Sequence, residues 1–238
     1  MHKLIKLAVL ILSVPIIFII YKGNNKNYIN ITILGDGLSQ GINSYEIIDY
    51  GYGDYLKEYY QNKKLLKNYS KDFTKSDMSI EMLNSYILMN KKVNSNNKKD
   101  NIKHILTESS VIIMSIGLND LLYKITLSNQ KMSTINNIVN EVYNDLKNLI
   151  KEINKYNDQL YIVGYYESKK YNYKMNYAIT KYNELIKSTE NIIYIDTNSY
   201  IKDSKYLENP YSYYPNTKGY QQISSKILSK IGKKLEKT

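Results

Sequence analysis

Gly35-Asp36-Gly37-Leu38-Ser39-Gln40-Gly41 follows directly on the apolar run Ile29–Leu34. An isoleucine-rich run ended by glycine reads as a buried strand entering a tight turn. The polar residues after it then stand at the strand's carboxyl end. Val111–Ser115 repeats the pattern as the clearest buried strand of the chain, and Ile116-Gly117-Leu118-Asn119-Asp120-Leu121 follows it.

Outward from these two strands, apolar spacing predicts a helix over Gly51–Tyr60, a weak strand over Leu65–Tyr69 and a helix over Asp77–Met89. Lys91–Asn101 is rich in Lys, Asn and Ser with few apolar residues, so it is expected as a surface loop. A long helix then carries Ile135, Ile138, Val139, Val142, Leu146, Leu149, Ile150 and Ile153 on one face, with Ser133 or Thr134 as its cap. A strand over Leu160–Tyr165, a helix over Asn176–Ser188 and a strand over Ile192–Ile195 come next. The last helix places Tyr220, Ile223, Ile227, Leu228, Ile231 and Leu235 inward. Strands alternating with helices predict an α/β fold, a three-layer αβα sandwich around a five-stranded parallel sheet. Ligands in such folds bind beyond the carboxyl ends of the strands, so Gly35–Gly41 and Gly117–Asp120 should share one edge. No internal repeat is present.

The 238 residues provide one domain of ordinary size, residues 30–238, behind a separate N-terminal segment. His2, Lys3 and Lys6 precede an uncharged run, residues 7–21, and residues 22–29 read as a polar linker. The run has the length of a signal peptide core or a short membrane anchor. No small-residue cleavage pattern follows it, which favours an uncleaved anchor in residues 1–21 over secretion after cleavage. The lysines before it would keep the N-terminus inside, placing the domain outside the cytoplasm as a single-pass membrane protein. The absence of cysteine excludes a lipoprotein anchor and disulfides.

The formal charge is +11 and is carried by lysine with no arginine. Abundant Asn, Lys, Ile and Tyr point to compositional drift, while the functional reading is attraction to an anionic surface: cell-wall polymer, glycan or lipid head groups. Nucleic acid is not expected, because base reading leans on bidentate arginine. No metal site and no cofactor motif is found.

With Tyr211-Ser212-Tyr213-Tyr214-Pro215-Asn216-Thr217-Lys218-Gly219-Tyr220 before the last helix, the two turns above resemble the SGNH, or GDSL-type, hydrolase family, in its secreted Gram-positive lipase/esterase-like branch. That family reads G-D-S-L after the first strand, G-x-N-D after the third and D-x-x-H-P-N-x-x-G-Y near the C-terminus. Gly164–Tyr166 and the Tyr182-Asn183 pair echo it further, and the resemblance spans residues 30 to 236. It implies a flavodoxin-like SGNH fold and serine esterase chemistry. Placed on this chain, however, the nucleophile falls on Gly37, the aspartate on Tyr211, the histidine on Tyr214 and the oxyanion glycine on Asp72 or Phe73. Only Asn119, the family's amide oxyanion donor, remains, with Asp36 and Asp120 beside it.

Acyl transfer needs a nucleophile, a base and oxyanion donors. A phenol at Tyr214, with an ordinary pKa near ~10, is a poor base. Ser39 is the alternative nucleophile, or else a capping or solvated serine; Lys218 could serve as base, or stand exposed. His104 is expected on the surface at the opposite end. Asn119 either donates to an oxyanion or holds its turn, with Asp120 accepting backbone N–H groups. Tyr206, Tyr211, Tyr213 and Tyr214 form either a sugar-stacking platform or a chance cluster. The readings left open are a membrane-anchored pseudohydrolase whose cleft (Asp36, Gly37, Ser39, Asn119, Asp120, Tyr211, Tyr214) binds an envelope ligand or partner, an esterase using Ser39, and a scaffold with a closed cleft.

Overall fold

The computed structural model describes residues 28–95, 98–201, 204–207 and 212–235. The expected anchor, most of the linker and Tyr211 lie outside them. Among the described residues no helix is long and apolar enough to cross a membrane.

In chain order the elements are β1 (Ile29–Gly35), α1 (Gly37–Gln40), α2 (Tyr52–Asn62), β2 (Leu66–Thr74), α3 (Ile80–Leu88), β3 (Lys92–Ser95), β4 (Lys98–Asn101), α4 (Ile102–Glu108) and β5 (Val111–Ser115). Then come α5 (Leu118–Leu127), α6 (Met132–Asn154), β6 (Leu160–Val163), α7 (Tyr173–Lys187), β7 (Ile193–Ile195) and α8 (Thr217–Leu235). Five strands form one parallel sheet in the order β2-β1-β5-β6-β7. Helix α2 packs with α8, while α3, α5 and α7 each pack against α6, giving the expected helical layers.

The order fixes where a site can form. The chain leaves β1 toward β2 on one side, then returns to lay β5 on the other. A crevice opens at the carboxyl ends where the direction of winding reverses. Gly35 and Ser115 are register partners at that point, so the turns after β1 and β5 meet there.

The central strand β5 is buried throughout. The predicted face of α6, from Ile135 to Ile153, is buried as well. Removing these side chains from water is the main favourable contribution to the fold, at about 25 cal/mol per Å² of apolar area.

Three local expectations need correction. Residues 92–95 and 98–101 pair as a small antiparallel ladder instead of a loop; paired backbone can form without an apolar signal when the strands lie outside the core. The cap of α6 is Lys131, with no side-chain cap bond, and Ser133 and Thr134 already lie in the first turn. Helix α7 starts at Tyr173, earlier than expected, because Asn172 accepts from Met175 N and makes a good N-cap.

Candidate functional site

Asp36 follows β1 and caps α1: its Oδ1 accepts from Leu38 N at 3.2 Å and from Ser115 Oγ at 2.8 Å. Its other oxygen accepts from the Tyr165 hydroxyl. Asp36 is only 3% exposed. Burial pushes its carboxyl up to about 6, against the opposing effect of the Tyr165 and Ser115 hydrogen bonds.

Ser39 is fully buried. Its hydroxyl lies 2.5 Å from the Tyr52 hydroxyl and 2.7 Å from Ser115 Oγ, and it accepts from Ser115 N at 2.9 Å. It is therefore neither a cap nor solvated; it ties α1 to β5 beneath the crevice, in one polar network with Asp36, Ser115, Tyr52 and Tyr165.

Gly37 faces the loop before α8. A Cβ built on Gly37 would meet Tyr214 Oη first, then Tyr214 Cζ and Ile42 Cδ1 at 2.9 Å. The Tyr214 phenol thus occupies the space of a side chain at position 37. Backbone bonds hold that phenol in place: Tyr166 Oη donates to Tyr213 O at 2.6 Å, Ser168 Oγ to Ser212 O at 2.9 Å, and Tyr214 N to Ser212 Oγ at 3.0 Å.

Asn119 and Asp120 begin α5. Both amide protons of Asn119 are committed, since Nδ2 donates to Ser76 O at 2.9 Å and to Met78 O at 3.0 Å. The Asp120 carboxylate accepts from Ile80 N at 3.2 Å, at the start of α3. Burial raises the Asp120 pKa, partly opposed by that bond. Both residues pin the segment between β2 and α3.

Around them the tyrosines close the crevice. Tyr165, Tyr166, Tyr171, Tyr213 and Tyr214 line it with Asp36, Leu38, Leu118 and Asn119, and the remaining volume is about 10 Å³, the room of a single water molecule. Burial pushes the Tyr165, Tyr166, Tyr171 and Tyr214 phenols above the usual tyrosine range, so they are neutral donors at physiological pH. Tyr171 and Tyr213 stack with centroids 4.5 Å apart. Lys170 lies 3.8 Å from the Tyr213 ring centroid and pairs with Glu46 at 2.8 Å, bridging two loops.

The remaining candidates stand elsewhere. Asp72 is exposed and accepts from Ser70 Oγ, Phe73 is buried, and neither lines the crevice. Between Ser70 and Phe73, β2 carries one residue more than β1 does between Thr32 and Leu34. This bulge is why sequence alone leaves that position ambiguous by one residue. His104 lies on α4, exposed and paired with Asp100 at 2.8 Å. Lys218 is exposed in the first turn of α8. Among the described residues no cluster of His, Cys, Asp or Glu could hold a metal ion.

Sequence reasoning missed Tyr165, Ser115 and Tyr52. Two neighbours gave a partial signal: Asn183 brackets the Tyr165 backbone from both sides (N at 3.0 Å, O at 2.6 Å), and Tyr182 donates to Ile116 O at 3.1 Å.

The GDSL-like Lipase/Acylhydrolase family model matches residues 31–227. Among solved structures, a lipase from a goat rumen metagenome superposes with a TM-score of 0.65 at 18% identity, over 84% of this chain and 96% of that one. A psychrotrophic esterase from Pseudoalteromonas sp. gives 0.56 at 17% identity, over 87% and 98%. An acetylxylan esterase from Geobacillus stearothermophilus gives 0.58 at 15% identity, over 87% and 96%. At these identities the likeness is one of fold. No curated protein matches the chain by sequence. The match across most of the length, on a sheet of this order with its crevice between β1 and β5, makes the chain a member of the GDSL-like lipase/acylhydrolase family.

Proposed function

We propose that this chain is a catalytically silent member of its family, a scaffold held at the outer face of a membrane by residues 7–21. The observation that carries this reading is the Tyr214 phenol standing in the side-chain space of Gly37. Without a hydroxyl at 37 no acyl-enzyme forms there, and a neutral, half-buried phenol at 214 is no base. Loss of one member of a serine triad costs on the order of 10⁴ to 10⁶ in turnover in characterised proteases, and further losses add little. The burial of Ser39 speaks against its use as a replacement nucleophile.

A cleft with room for one water supports a scaffold over a cleft-binding protein. The cleft-binding reading keeps one supporting observation: Tyr171 lines the crevice, and its hydroxyl is buried and without a hydrogen-bond partner among the described residues. A bound ligand would have to displace the tyrosines.

The test is fluorophosphonate labelling of the full chain together with an acyl-ester assay. Neither labelling nor hydrolysis above background is expected. Labelling that disappears in Ser39→Ala would defeat the proposal. Anchoring is tested by membrane fractionation of the full chain against one lacking residues 1–21. Release of the full chain from membranes by high salt would contradict it.

A further inference from the structure

We propose that the groove along the free edge of the sheet binds a phosphodiester-linked polyol chain. Among the described residues strand β7 is paired on one side only, and the groove beside it has a volume of about 500 Å³. Three lysines from two helices meet there: Lys187 at the end of α7, and Lys226 and Lys230 one turn apart on α8. None of the three pairs with a carboxylate among the described residues. Lys226 lies instead 5.4 Å from the centroid of the Tyr200 ring, a cation–π distance.

Tyr200 supplies an independent observation. Tyr200 lines the groove, and its hydroxyl is buried and has no hydrogen-bond partner among the described residues. A buried unpaired donor calls for an acceptor. A phosphate oxygen is the acceptor that neighbouring ammonium groups also favour.

A lone anion leaves the rest of the groove unused. Past Lys187, Tyr194, Asp196 and Ser199 the groove continues into a hollow of about 280 Å³, where Asn183, Glu184 and Asn198 take over the lining. Carboxylates such as Asp196 and Glu184 repel phosphate and accept readily from hydroxyls. A chain alternating phosphates with hydroxyl-bearing carbon units satisfies both stretches. A peptide strand is the poorer fit, because a three-residue edge flanked by lysine is how sheets discourage added strands. The groove is separate from the crevice, so this inference borrows from the proposed scaffold only the setting in which such a chain is met. Its failure leaves the question of hydrolysis untouched.

The experiment measures anisotropy of a labelled glycerol-phosphate oligomer with the full chain. Replacing Lys187, Lys226 and Lys230 together by Gln should weaken binding at least about tenfold and make the log K against log salt slope shallower by about two. Tyr200→Phe should weaken it about threefold. Replacing Lys63, Lys67 and Lys92 by Gln, beside the opposite edge of the sheet, removes the same charge and should cost less than about twofold. Equal losses in the two triple variants overturn the proposal, as does an unchanged affinity in each single lysine variant, which serves if the triple variant unfolds. Tighter binding to phosphatidylglycerol vesicles or to an oligonucleotide of equal charge assigns the surface to lipid or nucleic acid and also overturns it. Inorganic phosphate competing as well as the oligomer, per phosphate, reduces the groove to a single-anion site and has the same effect.

Discussion

Tyr214 and Gly37 are sterically complementary, the phenol of one filling the side-chain space of the other. Gly37→Ser alone is therefore expected to destabilise the protein by about 1–3 kcal/mol, the usual cost of overpacking. Adding Tyr214→His should recover most of that loss. Urea unfolding of the two single variants and the double variant measures the coupling, and strictly additive effects would refute the steric argument.

Restoring chemistry needs more than space. Gly37→Ser, Tyr211→Asp and Tyr214→His together are expected to yield weak ester hydrolysis, read as a burst of nitrophenolate from nitrophenyl acetate. A folded triple variant with no activity would point to missing oxyanion donors, since Asn119 is committed to Ser76 O and Met78 O and the family's glycine falls on Asp72 or Phe73.

Asp36 makes stability depend on pH with an unusual sign. Its folded pKa is raised from 3.8 to about 6, so between those values the unfolded chain gives up its proton while the native one retains it. The contribution of Asp36 to stability should therefore fall as pH rises from about 4 to about 6, by roughly 3 kcal/mol at most, and stay level above. Thermal unfolding of the wild type and Asp36→Asn across that range tests this. The difference between the two curves should change over that window, and a constant difference would remove Asp36 as the cause.

Ser39→Ala should act on stability alone. It strips partners from the Tyr52 hydroxyl and Ser115 N, which predicts a loss of about 1–3 kcal/mol. Denaturant titration checks the size, and an effect under about 0.5 kcal/mol, the usual range for a surface site, would mean the network is dispensable.

Asn119→Ala is expected to cost about 1–3 kcal/mol by freeing Ser76 O and Met78 O. Hydrogen exchange should rise first at the start of α3. Unchanged protection there would show that the amide does not hold the segment.

How much of this was legible in the sequence depends on the range of the interactions. The Ile29–Leu34 and Val111–Ser115 runs and the inward face of α6 declare themselves, because burial imposes a period on neighbouring residues. The 92–101 ladder does not, since its polar strands have no core-facing set. The position aligned with the oxyanion glycine was blurred by a bulge. The network beneath the crevice was invisible for another reason: Ser39 meets Ser115 and Asp36 meets Tyr165 across long stretches of chain. No local pattern marks a hydroxyl that will find its partner that way. The empty place at Gly37 was readable, whereas its filling by Tyr214 needed coordinates.

The uniform direction of the five strands gives the molecule two poles. The chain enters at Ile29 on one and delivers Asp36 to the other after seven residues of β1, roughly 23 Å of extended backbone. Any leash attached ahead of Ile29 pulls on the pole opposite the sealed crevice. A protein tethered in that way would turn its crevice outward, away from the surface that holds it.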